Sequence, residues 1–312
     1  MRSALIKWLV AKSKADHRIH LLTADLGYSV VEPFQVAVAD RFINVGVAEQ
    51  NMTGIAAGLA SERLLPYTYS IGIFPTFRCA EQIRNDIDYH KLPVVTCTVG
   101  SGVAYGSLGY SHHAIQDISL MRSLPNMVIA TPSDPKQVVE ILDWHYNNLC
   151  PMYLRLHKAG EVSLGRENGS LGLGVMQQIC PSSAVAPYIY THKICVIAVG
   201  FMAEKTAALV HRYTPHIPIY TVPLWGQPAL KKIIDKVQGF QKIITVEDHI
   251  LEGGFGSYVM EGLAARHESR EVIPFTLDSD VVGKVAKEQT LLDPLFRKLE
   301  FTLQGLTQVS GS

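Results

Sequence analysis

The sequence predicts an α/β fold with two doubly wound domains, each built on a mostly parallel sheet. Its 312 residues are enough for two ordinary domains with real hydrophobic cores. Strand-like and helix-like segments alternate over residues 1–160 and again over residues 193–312. Between these stretches glycine, serine and proline interrupt every pattern, which predicts a linker with a weak hairpin over residues 161–192.

The first predicted domain alternates strands and helices from its N-terminus. The strand-like segments are residues 20–23, 42–45, 65–69, 94–99, 127–130 and 152–156. The helix-like segments are residues 2–14, 52–61, 76–89, 117–122 and 135–146. The last helix has the clearest start, because Ser133-Asp134-Pro135 places proline in its first turn.

The second predicted domain repeats this alternation after the linker. We expect buried strands at residues 194–199, 217–222 and 242–246, with helices at 203–213 and 229–237. A further helix is predicted to open at Gly253-Gly254-Phe255-Gly256 and to run through residue 265. Such a glycine-rich start could hold a phosphate at the helix N-terminus, but a tight turn is the favoured explanation.

Composition excludes several classes of function. Lys plus Arg and Asp plus Glu both number 28, and no basic stripe indicates nucleic-acid binding. No apolar run is long enough to span a membrane, and Lys7 within the N-terminal segment is typical of an amphipathic helix rather than a signal peptide. The five cysteines are scattered without a CxxC pair. They indicate a reducing compartment, which we expect to be the cytoplasm, and argue against a disulfide framework or zinc site.

One acid, Glu49, lies between a short apolar strand and a helix of small residues. Its apolar neighbours include Val45, Val47 and Met52, so we expect its carboxylate to be buried. A buried carboxyl group without a partner is suited to proton exchange. The alternative is a glutamate that caps free N–H groups at the helix start, and spacing alone favours that alternative.

Several motifs occur in the order found in one enzyme family. They are Ala24-Asp25-Leu26-Gly27, the 41–60 segment around Glu49, Leu65-Pro66-Tyr67-Thr68, Glu81-Gln82-Ile83-Arg84-Asn85, Gly109-Tyr110-Ser111-His112-His113 and Leu124-Pro125-Asn126-Met127. Together they resemble the pyrimidine-binding domain of the transketolase family. The resemblance extends over nearly the whole chain, to the family's C-terminal domain, whose usual contribution is to subunit contacts.

The resemblance implies a set of residues that contact thiamine diphosphate. Glu49 corresponds to the glutamate that bonds ring N1′ of the aminopyrimidine, and this residue is implied to be catalytic. Phe74 corresponds to the aromatic ring that stacks on the pyrimidine. Ile71 stands where many relatives have another aromatic residue, and Phe77 could form a further wall. Asp25 is implied on the thiazolium side of the cofactor.

The same resemblance implies residues that face the substrate. His112 corresponds to the histidine that donates a hydrogen bond to, or exchanges a proton with, the carbonyl oxygen under attack. Ser29 is expected at the substrate entrance. His112-His113 could instead form a metal pair, but adjacent loop residues point apart and no further ligands stand at zinc spacing. We therefore predict no metal site in this chain, and we expect Arg84 and Asp117 to form structural ion pairs.

Three positions depart from the pattern of common transketolases. An acidic pair is replaced by Ser107-Leu108, and Leu108 cannot hydrogen-bond a sugar hydroxyl. A histidine that helps to hold the sugar phosphate corresponds to Gly100, and an arginine with the same task corresponds to Lys158, which lacks the bidentate fork. We expect pentose phosphates to be poor acceptors and a larger or less polar acceptor, such as a keto-sugar carried on a nucleotide, to fit better.

A complete transketolase also carries a diphosphate-binding domain, with a Gly-Asp-Gly motif that helps to hold Mg²⁺. This sequence contains no Gly-Asp-Gly and begins directly at the pyrimidine domain. The resemblance therefore implies the second half of a split transketolase that moves a two-carbon ketol unit between sugars. A separate chain would carry the diphosphate-binding domain, with two copies of each chain in the complex.

Two other functions remain open from the sequence. One is the second chain of a 2-oxo acid dehydrogenase first component, or a 1-deoxyxylulose-5-phosphate synthase-like enzyme. The other is a non-catalytic, transketolase-like scaffold subunit. Glu49, Phe74 and His112 argue against a scaffold, which does not need all three.

Overall fold

The computed structural model describes residues 1–158, 162–166, 170–179 and 193–309. Within these ranges the chain forms two sheets packed with helices, and nearly all neighbouring strands are parallel. The predicted α/β class is therefore confirmed. In the part of the chain that the structure describes, no helix has both the length and the apolar character needed to cross a bilayer.

The elements of the first half follow the predicted alternation. The strands are β1 (Ile19–Thr23), β2 (Phe42–Asn44), β3 (Leu65–Ile71), β4 (Val95–Val99), β5 (Val128–Ala130) and β6 (Met152–Leu156). The helices are α1 (Arg2–Ser13), α2 (Glu32–Ala37), α3 (Glu49–Ser61), α4 (Ile73–Phe77), α5 (Ala80–Gln82), α6 (Asp117–Met121) and α7 (Pro135–Asn147), with a π-helical turn at Ile83–Asp88. The predicted start of α7 with proline in its first turn is confirmed, and Asp134 caps the helix by accepting a hydrogen bond from the Gln137 amide.

The second half contains the remaining elements. Its strands are β7 (Gln177–Gln178), β8 (Ile194–Ala198), β9 (Ile219–Thr221), β10 (Leu224–Trp225), β11 (Lys242–Ile250) and β12 (Glu271–Leu277). Its helices are α8 (Met202–Tyr213), α9 (Leu230–Val237), α10 (Phe255–Ala264) and α11 (Glu288–Val309). Short 3₁₀ turns lie at Ala39–Arg41, Gly106–Leu108, Tyr110–His112, Gln227–Ala229 and Ser279–Gly283.

The two sheets differ in size, and the second half of the chain contributes one strand to the larger sheet. The larger has the order β10-β5-β6-β4-β3-β1-β2, and all its pairs are parallel except β10 with β5. The smaller has the order β12-β11-β8-β9-β7, and only β7 with β9 is antiparallel. Because β10 follows the second half's β9 yet pairs with β5, the C-terminal half completes the sheet of the first half.

Several predicted boundaries are wrong for local physical reasons. The helix predicted over residues 76–89 is divided into α4, α5 and the π turn, because the backbone leaves helical geometry at Cys79, whose side chain is buried in the core. Helix α3 begins at Glu49 rather than at residue 52. Strand β12 and helix α11 were not predicted, because Pro274 and Pro294 interrupt their patterns.

The predicted hairpin at 161–192 lies partly outside the described residues. Within them Arg166 and Ile179 form an antiparallel bridge.

A buried arginine joins the two halves. Arg155 of β6 donates from Nε to Asp117 at 2.7 Å and from Nη1 to Asp248 of β11 at 2.5 Å. Its Nη2 also donates to the backbone oxygen of Ala114 at 2.7 Å. All three charged side chains are at most 3% exposed, so removing one would leave an uncompensated buried charge. The expected structural ion pair of Asp117 is confirmed.

A second buried acid closes the start of α10. Glu247 of β11 accepts hydrogen bonds from the amides of Phe255 at 2.6 Å and Gly256 at 2.8 Å. A Cβ at Gly254 would lie 2.5 Å from the Glu247 carboxylate, so the glycine permits this approach. The carboxylate thus occupies the helix N-terminus that a phosphate would need, and the predicted tight turn is the correct explanation. Burial raises the pKa of Glu247 to about 7.

Glu247→Gln should become relatively more stable as pH rises. In the wild type the folded pKa of Glu247, about 7, lies above the ordinary value of 4.5. The protonated Glu247 side chain therefore contributes fully to folding stability below pH 4.5, and this contribution is lost as pH rises through 7. Between pH 5 and 8 the difference in unfolding free energy should shift by about 2 kcal/mol in favour of the variant. Urea unfolding at both pH values measures this shift. The exposed-site control Glu252→Gln should not show it, and a pH-independent difference for Glu247→Gln would contradict the assignment.

Candidate active site

The candidate site forms at one edge of the larger sheet. Glu49 follows β2, Phe74 follows β3, and His112 lies in the long loop after β4. Strands β1, β2, β3 and β4 are parallel, so the segments that follow them emerge at the same edge. Phe74 and His112, which are 38 positions apart along the chain, are therefore in contact, and Arg78 links Glu49 to the Phe74 ring.

Glu49 is the buried acid of this site. It is the first residue of α3 and is only 4% exposed, so its predicted burial is confirmed. It lines a cleft of about 420 Å³ together with Val47, Gln50, Asn51 and Arg78, among others. The premise of a carboxylate without a partner is wrong, because Glu49 Oε1 accepts a hydrogen bond from Arg78 Nη1 at 2.9 Å.

Arg78 is a site residue that the sequence analysis missed. Its guanidinium carbon lies 4.3 Å from the centroid of the Phe74 ring, within cation–π distance. The Arg78 side chain is 50% exposed, whereas its partner Glu49 is buried. Phe74 and Arg78 are four residues apart across a helical turn, a spacing that brings side chains together. This four-residue spacing is the feature of the sequence that could have identified Arg78.

His112 contacts the Phe74 ring from the loop after β4. The two ring centroids are 5.2 Å apart with an interplanar angle of 66°. Ser111 Oγ lies 3.0 Å from His112 Nδ1, within hydrogen-bond distance. Burial and the positive charge of Arg78 lower the pKa of His112 below its ordinary value of 6.5, which favours the neutral imidazole. A neutral imidazole can both donate and accept a proton.

Tyr105 fills the region next to His112 and was also missed. Its ring centroid is 6.5 Å from that of His112, and Lys158 Nζ lies 4.9 Å from the Tyr105 ring centroid. Gly100 has φ +89°, and a Cβ built there would lie 2.2 Å from Tyr105 Cε2. The tyrosine ring therefore occupies the space that a side chain at position 100 would need.

Asp25 and Ser29 lie on the loop after β1. The Asp25 carboxylate accepts a hydrogen bond from the Tyr28 hydroxyl at 3.0 Å, and its backbone amide donates to Asn44 Oδ1 at 3.0 Å. Ser29 is exposed and lines a separate groove beside α1. The structure thus does not bring Ser29 into the cleft of Glu49.

The remaining predicted residues lie around the site rather than against Glu49. Ile71 ends β3 and packs on the hydrophobic core. Phe77 and Leu108 are 53% and 56% exposed, which leaves both side chains open to a ligand or a partner surface. Arg84 donates to the neighbouring Asn85 side chain, and among the described residues no acid forms the ion pair expected for it.

No metal centre is evident in the ranges that the structure describes. Within them no three His, Cys, Asp or Glu side chains are grouped so that they could hold an ion.

Comparisons with known proteins place these observations in a family. Residues 1–160 match the family model described as transketolase, pyrimidine binding domain. One of the subunits of the apulose-4-phosphate transketolase of Actinobacillus succinogenes is 28% identical over 237 residues, covering 75% of this chain and 73% of that protein. A putative transketolase C-terminal section of Methanocaldococcus jannaschii is 28% identical over 298 residues, covering 94% and 90%.

A longer relative and a solved structure are also similar to this chain. The 1-deoxy-D-xylulose-5-phosphate synthase of Caldanaerobacter subterraneus is 31% identical over 276 residues, and the match spans 42% of that enzyme. A structure described as a split-gene transketolase in an inactive β4 tetramer superposes with a TM-score of 0.77 and 27% identity. That superposition covers 98% of this chain and 97% of the other.

Arg78→Gln should raise the pKa of His112. The positive charge of Arg78 is one of the two causes that lower this pKa, and burial, the larger cause, would remain. Other ionisable groups near the ring are the buried His113 and the phenol of Tyr105, and neither is changed in this variant. NMR titration of the imidazole carbons measures the shift, with Arg78→Lys as the control that retains the charge. An unchanged pKa in Arg78→Gln would show that Arg78 does not face His112 in solution.

Proposed function

The chain belongs to the transketolase family through its pyrimidine-binding domain, and we propose that it is one subunit of a split, two-chain, thiamine-diphosphate-dependent transketolase. In this proposal it transfers a two-carbon ketol unit between sugars. The observation that carries the proposal is the buried Glu49 carboxylate, which Arg78 links to the Phe74 ring, with His112 packed against that same ring. The proposed pyrimidine-binding domain is residues 1–160, the linker 161–192 and the C-terminal domain 193–312.

The described residues fit the pyrimidine end of the cofactor. When bound, thiamine diphosphate supplies a nucleophilic carbon and an electron sink. Glu49 is proposed to share a proton with ring N1′, and the burial of its carboxylate at the edge of the cleft supports this role. The Phe74 ring offers a face on which the pyrimidine can stack. Ile71, Phe77 and Asp25 are proposed as outer contacts of the cofactor.

His112 is proposed to act on the substrate. It contacts Phe74 from the loop that follows β4, and it is half-buried. Its neutral imidazole can accept the hydroxyl proton as a sugar carbonyl forms, and the resulting imidazolium can return that proton to the oxygen in the opposite direction. Ser29 is kept as a proposed contact at the substrate entrance, although it lies outside the cleft of Glu49.

A second chain is proposed to hold the diphosphate and Mg²⁺, with two copies of each chain in the assembly. Exposed apolar side chains surround the cleft and the His112 loop, and a partner surface would cover them. They are Val47, Phe77, Leu108 and Tyr110, each between 46% and 76% exposed. The similar split-gene transketolase, described as inactive as a β4 tetramer, supports the proposal that such a chain does not act alone.

The cytoplasm is the proposed location, since Cys79, Cys97, Cys150 and Cys195 are unpaired thiols.

Partner dependence predicts weak cofactor binding by the isolated chain. This chain supplies only the pyrimidine contacts, so the diphosphate should contribute little affinity until the second chain is present. Isothermal titration calorimetry with thiamine diphosphate and Mg²⁺ should give a Kd at least about 100-fold weaker for the chain alone than for the two-chain complex. Tight, magnesium-dependent binding to the chain alone would contradict the two-chain proposal.

We further propose a non-standard acceptor. Tyr105 fills the space beside Gly100, so a phosphate-binding side chain cannot be accommodated there without moving the ring. The cation of Lys158 lies over the same ring, and exposed Leu108 gives the entrance an apolar wall. A larger or less polar acceptor, such as a keto-sugar carried on a nucleotide, suits this entrance better than a pentose phosphate. The donor is proposed to be an ordinary ketose phosphate.

Steady-state kinetics of the two-chain complex test the acceptor. With ribose 5-phosphate as acceptor and xylulose 5-phosphate as donor, kcat/KM should fall below about 10⁴ M⁻¹s⁻¹. Leu108→Asp restores a group that can accept hydrogen bonds from a sugar and should raise this value, whereas Leu108→Ala should not. Efficient turnover by the unaltered complex would identify an ordinary split transketolase.

The second candidate is a 1-deoxyxylulose-5-phosphate synthase-like activity, or the second chain of a 2-oxo acid dehydrogenase first component. The match to the synthase of Caldanaerobacter subterraneus favours the first of these. Pyruvate distinguishes them from a transketolase, because both alternatives decarboxylate a 2-oxo acid. Loss of pyruvate with carbon dioxide release, without ketol transfer, would select the second candidate. A scaffold subunit would show neither reaction in the two-chain complex.

A further inference from the structure

The Arg78 side chain occupies both groups proposed to bind the pyrimidine ring, which are the Glu49 carboxylate and the face of the Phe74 ring. Its Nη1 donates to Glu49 Oε1 at 2.9 Å, and its guanidinium carbon lies 4.3 Å from the Phe74 ring centroid. A guanidinium is a planar cation that donates hydrogen bonds in its own plane and stacks on aromatic rings. A pyrimidine placed on this face of Phe74 and bonded to Glu49 would occupy the same space.

The Arg78 side chain can leave this position without a change in the backbone. Its backbone oxygen accepts a hydrogen bond from Gln50 Nε2 at 2.8 Å, and its amide donates to Phe74 O at 3.2 Å. These bonds fix the main chain between α3 and α4. The side chain itself is 50% exposed, so its rotamers toward solvent are open.

We propose that Arg78 is a gate of the cofactor site, holding Glu49 and covering Phe74 until the aminopyrimidine displaces its guanidinium toward solvent. This inference rests on the proposed function. The buried carboxylate then always has a hydrogen-bonding partner, first the guanidinium and afterwards the pyrimidine. Each binding event must break the Arg78 contacts, so the gate weakens cofactor affinity.

Removing the gate should therefore tighten binding. An ion pair with an exposed partner and a partly exposed cation–π contact together correspond to a factor of about three to thirty in Kd. Arg78→Gln should lower the Kd for thiamine diphosphate by that factor. Arg78→Lys keeps a charge but loses the planar fork, so its Kd should lie between those of the wild type and Arg78→Gln. In a Glu49→Gln background, the effect of Arg78→Gln should shrink, because the charge partner is absent.

Calorimetry of the two-chain complex with thiamine diphosphate and Mg²⁺ measures these four variants and the wild type. The expected result is tighter binding by Arg78→Gln and a non-additive effect in the double variant. Weaker or unchanged binding by Arg78→Gln would overturn the gate and identify Arg78 as a cofactor contact or as a bystander. If the wild-type complex does not bind the cofactor at all, the proposed function fails.

A double-mutant cycle on the isolated chain tests whether Arg78 is paired with Glu49 in the absence of cofactor. Glu49→Gln, Arg78→Gln and the double variant are compared by urea unfolding of the full chain. Coupled destabilisation is expected, because each single variant removes the same bond. Strict additivity would show that the pair is not formed in the free chain and would overturn the gate regardless of the chain's activity. A coupled result, with no cofactor binding by the complex, would separate a real ion pair from a wrong functional proposal.

Discussion

The buried ion pairs of Arg155 constrain the structure on which the candidate site depends. This side chain reaches from β6 to Asp117 at the start of α6, to Asp248 of the smaller sheet and to the backbone of Ala114. Ala114 and Asp117 end the loop that carries His112, so one arginine fixes both that loop and the contact between the two halves. A desolvated arginine with two carboxylates tolerates little displacement of any partner.

This constraint explains how a site can be built from distant segments. The parallel strands bring the starts of α3 and α4 to one edge, and Arg155 holds the third segment against them. The site itself is more open than its support, since Phe77, Leu108 and half of the Arg78 side chain face solvent. A rigid buried network below an exposed rim suits a half-site that a partner chain completes. In such a half-site the affinity for a ligand would depend on the partner surface that covers the exposed rim, whereas the reaction would depend on the side chains held beneath that rim.

The sequence predicted six strands of the larger sheet, but not β10, which the C-terminal half supplies, nor the contacts that depend on three-dimensional packing. All six strands of residues 1–160 were found because their apolar runs are short and bounded. The burial of Glu49 followed from its apolar flanks, whereas its pairing with Arg78 joins residues 29 positions apart and depends on how α3 packs against α4. The position of the Tyr105 ring was not predicted, because only the folded loop places that ring beside Gly100. The π turn at Ile83–Asp88 has no distinctive sequence pattern.

The proposed activation of the cofactor by Glu49 is tested most directly by hydrogen–deuterium exchange at C2 of thiamine diphosphate bound to the proposed two-chain complex. This exchange reports the proton relay without requiring any substrate to be known. We expect Glu49→Gln to slow it by at least about 100-fold, the scale of general acid–base catalysis, and His112→Ala to leave it close to the wild-type rate. Exchange at the wild-type rate in Glu49→Gln would contradict the assignment of Glu49 and the active site built around it.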